Sequence, residues 1–324
     1  MQSDEYDPFA IQDSVDNVSN NIGAFNYGIE WKERNEFVLD YAPTVSFRYY
    51  LKNCADKTTD FGLLIFVNGI RQPYRTDDDA ESSILHIFDV KHEEKKTQTI
   101  QFEPIIGEDG DILSVEIISM FQPNYIPNGN TKQSDYHFNH KISSMFPSEM
   151  TVTEKTGKAF PAICKDYQSE KISDELRSKY NKMDASGLYS GDNDLDHTVF
   201  IETLKNGLLV TPADRRKGEI AEMPFTLQDT VTLCMYGGNT PCQYRVSMYI
   251  NHKLVSGVFD GADYIDMTPS RDTICKKTID LSKTNLGLSE YNHMYFIAIP
   301  SYSNKNYGER MALKSQSVTL ICDE

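Results

Sequence analysis

Clusters of acidic side chains are the residues of this chain whose types and spacing come nearest to a recognisable chemistry. Calcium takes six to eight oxygen ligands from carboxylates and carbonyls. Asp192, Asp194 and Asp196 have the D-x-D-x-D opening of a calcium loop, but His197 stands where the sharp turn needs glycine and Thr203 where the twelfth position needs glutamate. We therefore expect no cofactor, with calcium at the three aspartates as the open alternative.

Other candidate metal ligands have a weaker pattern. His137 and His140 are three residues apart, a spacing that binds metal on a helix, but the surrounding sequence is typical of a loop and favours a histidine pair without a metal. Two more acidic loops offer carboxylates, for which solvation is the default interpretation. They contain Asp77, Asp78, Asp79 and Glu81, and Glu108, Asp109 and Asp111.

Motifs that name a reaction are missing from the sequence. There is no G-x-S-x-G elbow, H-E-x-x-H pair, Walker A loop or G-x-G-x-x-G loop. A glycosidase needs only two well-placed carboxylates, and a single sequence leaves that alternative open. We expect a protein that is not an enzyme.

Aromatic residues suggest carbohydrate binding as an alternative function, because sugars stack on exposed rings. The chain has 19 Tyr and 16 Phe but one Trp. Tyr74, Tyr125, Tyr136, Tyr302 and Tyr307 lie in or beside predicted loops. Most aromatic residues of β proteins instead pack in cross-strand pairs.

Cysteine content and charge limit the compartment and the partners. Six cysteines without C-x-x-C spacing are too few for a disulfide scaffold; whether Cys234 and Cys242, which flank a turn-rich loop, pair is left open. The formal net charge of -16 disfavours direct binding of nucleic acid or anionic lipid. We expect no transmembrane segment, and no apolar signal-peptide core follows Met1, which favours a protein kept inside the cell or assembled into a particle.

The elements that position these residues are organised around one stretch, Gly62–Pro73. Its apolar run ends at Asn68-Gly69, a pair able to take the positive φ values of a type I′ hairpin turn. Tyr244–Val255 is a degenerate copy with His252 in place of the glycine. Three flanking segments also recur in the same order at an offset of roughly 180 residues, which predicts a duplicated β domain. The pairs are 45–50 with 231–236, 99–102 with 278–281, and 114–119 with 294–299.

Hydrophobic periodicity predicts an all-β fold of two tandem antiparallel β-sandwiches, immunoglobulin-like or jelly-roll-like. Residues 45–51 alternate with period two, which indicates a half-buried strand, and the near-continuous apolar run 62–67 indicates a strand covered on both faces. Strands recur at intervals of about ten residues, separated by turn-forming residues.

The predicted domain organisation has four parts. Ile172, Leu176, Tyr180 and Met183 form one apolar stripe and predict a helix over 169–183 in the connection between the sandwiches. The parts are an acidic N-terminal arm, 1–24; the first sandwich, 25–153; a linker, 154–197; and the second sandwich, 198–324.

Phe66–Pro73, followed by Gly110–Ile117, resembles a short β module of bacteriophage tail and fibre proteins. In that module an apolar strand turns at Asn-Gly and a later Gly-Asp opens another strand. The resemblance covers about a sixth of the chain and implies a non-catalytic structural protein of the virion. Its implied partners are other copies of itself and other virion proteins.

Two other functions remain open from the sequence. One is an extracellular bacterial surface adhesin whose N-terminal export signal has been removed and whose loops bind a protein or a glycan; the other is a carbohydrate-binding module. A tethered adhesin is expected to be a monomer in solution, whereas a virion component is expected to form closed symmetric oligomers.

Overall fold

A computed structural model of the chain describes most of its residues. They are 25–30, 39, 41–131, 139–144, 148–153, 160–172, 197–205, 208–210, 225–226, 230–237, 242–270, 272–283, 288–300 and 312–322. Within these ranges the secondary structure is β-strand apart from one short 3₁₀ helix, Leu281–Lys283. No helix in the described ranges is long and apolar enough to cross a bilayer.

The first sandwich consists of two antiparallel sheets. Sheet 1 has the order β1-β2-β8-β5-β6, and sheet 2 has the order β10-β9-β3-β4, with β11 also paired to β9 and β7 to β3. The strands are β1 (Phe25–Ile29), β2 (Val45–Asn53), β3 (Thr59–Val67), β4 (Ile70–Arg71), β5 (Tyr74–Thr76), β6 (Asp79–Ser83), β7 (His86–Val90), β8 (Lys95–Phe102), β9 (Ile112–Phe121), β10 (Ile142–Ser144) and β11 (Ser148–Thr151).

The second sandwich also has two sheets. Sheet 3 has the order β12-β20-β18-β22-β24-β16, with β19 paired to β18 and β23 to β22, and sheet 4 has the order β13-β21-β17-β14-β15. The pairs β12–β20 and β16–β24 are parallel. The strands are β12 (Ile163–Cys164), β13 (Gln168–Lys171), β14 (Thr198–Lys205), β15 (Leu208–Val210), β16 (Phe225–Thr226), β17 (Thr230–Tyr236), β18 (Tyr244–Ile250), β19 (Lys253–Leu254), β20 (Tyr264–Met267), β21 (Thr273–Asp280), β22 (Tyr291–Pro300), β23 (Leu313–Lys314) and β24 (Val318–Ile321).

The burial pattern of β3 explains how the two sandwiches are arranged. Leu63 and Ile65 point into the core between sheets 1 and 2, whereas Leu64 and Phe66 point the other way and contact sheet 3 of the second sandwich. Because successive side chains of a strand alternate between faces, continuous burial requires cover on both sides. Sheets 2 and 3 are therefore the inner layers of a four-layer stack.

The prediction of a helix over 169–183 is wrong for its first residues. Gln168–Lys171 is strand β13, which pairs with β21. Hydrogen bonding to that neighbouring strand decides the structure of these polar residues, and Ile172, the first residue of the apolar stripe, packs beside Phe200 and Ile274. Residues 173–183 lie outside the described ranges. The predicted linker thus supplies β12 and β13 to the sheets of the second sandwich.

The strands that contain the segments paired in the sequence lie at matching places in the two sandwiches, although the structure puts Ser114 at the place of His293 and not of Met294. β2 pairs with β8 as β17 pairs with β21. β3 lies between β7 and β9 as β18 lies between β20 and β22. The match is one of topology, and a duplication that would explain it stays a prediction.

Candidate functional site

The buried contact between sheets 2 and 3, which we call the joint, brings together side chains from distant parts of the chain. Its apolar part contains β3 and β9 residues on one side and β18 and β22 residues on the other, and Tyr249 and Tyr295 stack there with ring centroids 5.4 Å apart. This cluster consists of Leu64, Phe66, Ile118, Met120, Tyr249, Tyr295, Ile297, Ile299 and Ala312.

Two hairpin turns lie beside the apolar part of the joint. Asn68 and Gly69 have φ values of 47° and 75°, and Asn251 and His252 have φ values of 48° and 61°. Both turns therefore have positive φ at both central residues, as type I′ requires, which confirms the turn predicted at Asn68-Gly69. His252 adopts the left-handed conformation that glycine has in the first turn.

Each turn accepts a hydrogen bond from an arginine of the opposite sandwich. Arg71 Nη1 donates to the carbonyl oxygen of His252 at 2.9 Å, and Arg245 Nη1 donates to the carbonyl oxygen of Asn68 at 2.7 Å. A charged donor makes these bonds stronger than bonds between neutral groups. The two reciprocal bonds fix the position of one sandwich on the other.

Arg245 is itself held by a buried carboxylate. Its Nε and Nη2 atoms donate to the two oxygens of Asp266 at 2.9 and 3.0 Å, and Gln243 Nε2 donates to the same carboxylate at 2.7 Å. Arg245 and Asp266 are 8% and 7% exposed. These two parallel bonds to one carboxylate fix the orientation of the guanidinium, and its Nη1 then points at the first turn.

Replacing Gly69 with alanine is expected to destabilise the protein by about 1–3 kcal/mol. The new methyl group would lie 2.8 Å from Arg245 Cβ, and the φ of 75° is strained for alanine. Chemical denaturation of the purified variant measures the loss.

Gly110→Ala is the matched control for this substitution. Gly110 also has a positive φ, 87°, but a Cβ built there meets no atom within 4 Å. The control therefore carries the backbone strain alone, about 1 kcal/mol. Equal losses in the two variants would contradict a tight contact between the first turn and Arg245.

Three of the seven histidines of the chain form a cluster at the edge of the joint. His140 precedes β10 in the first sandwich, His252 belongs to the second turn, and His293 lies on β22. The ring centroids of His293 are 4.2 Å from His140 and 4.3 Å from His252, and the other two rings are 5.0 Å apart. We call this group the histidine cluster.

The backbone places His252 and His293 side by side. The Asn251 amide donates to the carbonyl oxygen of His293 at 3.0 Å, and the His293 amide donates to Asn251 Oδ1 at 3.1 Å. The first sandwich has the same pair of bonds between Asn68 and Ser114 on β9. An imidazole thus stands in the second sandwich at the place that Ser114 takes in the first.

Hydrogen-bond partners assign the protons on two of the three rings. Nε2 of His140 lies 3.0 Å from the carbonyl oxygen of Tyr125, and Nε2 of His252 lies 2.7 Å from that of Pro123. A carbonyl oxygen only accepts, so both Nε2 atoms carry the proton and both Nδ1 atoms carry the lone pair. The Tyr295 hydroxyl then donates to His252 Nδ1 at 2.7 Å.

His293 and Lys314 complete the surroundings of the cluster. His293 is 4% exposed, and neither of its ring nitrogens has a hydrogen-bond partner. Lys314 Nζ donates to Ser315 O and Ser317 Oγ and lies 4.5 Å from the centre of the Tyr295 ring. Burial lowers the pKa of Lys314 to about 7.

The three imidazoles are neutral at pH 7. Burial is the main cause, and it lowers the pKa of His140 to about 2 and that of His252 to about 4. Burial, then the neighbouring His140 and His252, holds the pKa of His293 well below its ordinary value. Neutral imidazoles keep the lone pair that binds a metal ion.

The residues predicted to bind a ligand do not form this site. Tyr74 is fully buried on β5 and donates its hydroxyl to the carbonyl oxygen of Leu63, so the prediction of a surface ring that stacks on a sugar is wrong. The alternation of the short strand turns this ring inward. Tyr125 is half-buried and meets the cluster through its backbone oxygen. Tyr136, Tyr302, Tyr307, Asp192, Asp194 and Asp196 lie outside the described residues.

Asp77 and Asp78, from one of the acidic loops considered as metal ligands, bind other groups of the protein. Asp77 accepts a bond from the Thr99 amide, and Asp78 accepts one from Gln98 and pairs with Lys96 at 3.2 Å. Their carboxylates are engaged by protein groups.

All six cysteines are free thiols, so the disulfide left open between Cys234 and Cys242 is not formed.

A groove of about 800 Å³ runs along the joint next to His252. Its lining is mainly apolar and includes Ile70, Leu85, Ile106 and Leu254. The carboxylate of Asp263 also lies there and accepts a bond from the Gly257 amide at 2.8 Å. The groove therefore offers a mainly apolar surface that Arg71, Lys253 and Asp263 border with charge.

Comparisons with known proteins do not assign the chain to a family. No protein family and no curated protein matches the sequence. Solved structures that align with it include red sea bream transglutaminase, 7% identical, over 93% of this chain and 31% of that one, with a TM-score of 0.21. Two others contain a chaperone. The periplasmic chaperone SfaE is 10% identical over 93% of this chain and all of that one, with a TM-score of 0.22. The Salmonella enterica SafA pilin–SafB chaperone complex is 9% identical over 94% of this chain and 98% of that one, with a TM-score of 0.24.

Proposed function

We propose that this chain is a non-catalytic structural protein of a virus particle, a bacteriophage tail, neck, fibre or decoration component. It acts through contacts with other copies of itself and with other particle proteins. The joint carries this proposal, because it fuses two sandwiches into one block through a buried apolar layer and two charged hydrogen bonds. Such a block transmits force between neighbours without relative movement of its domains.

The chemistry of the described surface supports a role in binding other proteins. The pKa of Glu30 is lowered, chiefly through a hydrogen bond to Lys95, whereas a general acid needs a raised pKa. The groove beside the joint is apolar, and the formal net charge of -16 disfavours contact with nucleic acid.

The solution mass of the chain tests this function. Light scattering of the intact chain is expected to show a closed symmetric oligomer, and a variant without residues 1–24 is expected to dissociate because the acidic arm is lost from the contact. Thermal melting of the truncated variant is the control that its sandwiches remain folded.

A monomer in both forms would contradict the proposal. That outcome would favour the adhesin alternative, whose loops bind a host protein or a glycan, and arrays of such ligands would then be the next measurement.

A further inference from the structure

We propose that the histidine cluster binds one divalent transition-metal ion, for which zinc is the first probe. The ligands are Nδ1 of His140, Nδ1 of His252 and one ring nitrogen of His293. Because His140 comes from the first sandwich and the other two from the second, the ion ties the sandwiches together at the joint. This goes beyond the proposed structural function, which needs no metal.

The rings of His140 and His252 are oriented as metal-binding histidines are. Such a histidine almost always donates its second ring N–H to a carboxylate, a backbone carbonyl or water, which sets the tautomer and the direction of the lone pair. The carbonyl groups of Tyr125 and Pro123 supply this bond here. Both Nδ1 atoms therefore carry a lone pair; that of His252 accepts from the Tyr295 hydroxyl at 2.7 Å, and that of His140 lies 3.4 Å from Ser317 Oγ.

His293 is the observation that points most directly to a ligand. It is 4% exposed, and neither ring nitrogen has a hydrogen-bond partner. A buried polar group without a partner costs about 1–3 kcal/mol and calls for a compensating interaction. A metal ion bound to one of these nitrogens supplies it.

The distances allow a site after small side-chain movements. One ligand nitrogen of each histidine lies within 4.8 Å of the others. Zinc binds histidine nitrogen at about 2.0–2.1 Å, so the three nitrogens must approach to about 3.4 Å in a tetrahedral site. The Tyr295 hydroxyl on His252 Nδ1 and the Ser317 hydroxyl near His140 Nδ1 must both turn away from these nitrogens. The Tyr295 oxygen or a water then takes the fourth position.

The donor set and the nearby charges select the kind of ion. Three imidazoles and no carboxylate favour zinc, copper, nickel or iron over calcium or magnesium, which prefer oxygen. Lys314 and Arg71 are the cationic groups near the cluster. Lys314 Nζ is held on Ser315 O and Ser317 Oγ, and the Arg71 guanidinium lies 4.8 Å from the Tyr249 ring, where it donates to His252 O.

The test titrates the full chain, stripped with a chelator and then freed of it, with Zn²⁺ and with Co²⁺. One equivalent is expected to bind, and Co²⁺ is expected to show the visible absorption of a nitrogen-rich tetrahedral site. At a Zn²⁺ concentration a hundredfold above Kd, the Tm is expected to rise by about 5 °C. The absence of both the absorption bands and the Tm rise would overturn the proposal.

His293→Leu is the decisive variant, because it removes a ligand and leaves no hydrogen bond of that ring unmade. It is expected to melt at or above the Tm of the metal-free wild type and to lose the metal response. His293→Gln is the second variant, to be used if the leucine does not fold. Both are expected to weaken binding by more than the 10–100-fold that loss of an outer-shell partner costs.

His86→Gln is the matched control, since His86 is another buried histidine, 7% exposed, far from the cluster in sequence and bonded to the carbonyl oxygen of Tyr74. It is expected to keep the full metal response. A wild-type response in the His293 variants would overturn the site, because the metal would then bind elsewhere on the chain.

Discussion

Replacing Arg245 with alanine is expected to lower the free energy of unfolding by about 3–5 kcal/mol, because it leaves a buried carboxylate without its charged partner. Asp266 is 7% exposed and accepts two bonds from the guanidinium. The substitution also removes the bond from Arg245 Nη1 to the carbonyl oxygen of Asn68 across the joint. Urea denaturation of the purified variant measures the loss.

Two further variants separate the causes of this effect. Arg48→Ala is the control for loss of an exposed ion pair, because the Arg48 side chain is 63% exposed and lies 3.2 Å from Glu30. We expect it to cost less than about 1 kcal/mol. The double variant Arg245→Met with Asp266→Leu removes both charges and is expected to recover most of the stability. A loss below 1 kcal/mol in Arg245→Ala would contradict the importance of the pair.

Lowering the pH from 7 to 5.5 is expected to remove about 4 kcal/mol from the free energy of unfolding of the metal-free protein, or about 1.4 kcal/mol for each histidine of the cluster. Each ring titrates near 6.5 in the unfolded chain, whereas the folded pKa is about 2 for His140, about 4 for His252 and well below 6.5 for His293. Between the two pKa values only the unfolded state takes up the proton. Stability is therefore complete above pH 6.5 and falls as the pH drops below it.

The contribution of the three histidines to this pH dependence must be separated from that of Lys314. With its pKa lowered to about 7, Lys314 is protonated in both states at pH 6 and below, so its contribution changes only at higher pH. Urea denaturation at half-unit steps in the presence of a chelator gives the slope. His293→Leu is expected to lose about a third of it. A free energy of unfolding that stays constant in the wild type from pH 7 to 5.5 would contradict the neutral buried cluster.

Local sequence patterns were sufficient to predict strands such as β2 and the first hairpin turn. The alternation at 45–51 predicts the buried face of β2, and the structure buries Val45, Phe47, Tyr49 and Leu51. Asn68-Gly69 forms the predicted type I′ turn. These features depend on steric preferences of neighbouring residues, which a short stretch of sequence contains.

The failures of the sequence interpretation occurred where distant segments meet. Gln168–Lys171 is a strand because it hydrogen-bonds to β21, although it stands next to the apolar stripe that begins at Ile172 and predicts a helix. Tyr74 is buried because sheets 1 and 2 close over it. The predicted pair of His137 and His140 stays untested, because His137 lies outside the described residues; the rings beside His140 are those of His252 and His293.

The sequence by itself determined that the protein is all-β, where most of its strands lie and that β3 is covered on both faces. Only the tertiary structure decided what covers the second face, namely sheet 3 of the other sandwich. The physical reason is that hydrophobic periodicity in the sequence indicates which side chains are buried. Which residues cover a buried side chain depends instead on contacts between segments far apart in the chain. The joint and the histidine cluster are such contacts, since each is assembled from both sandwiches.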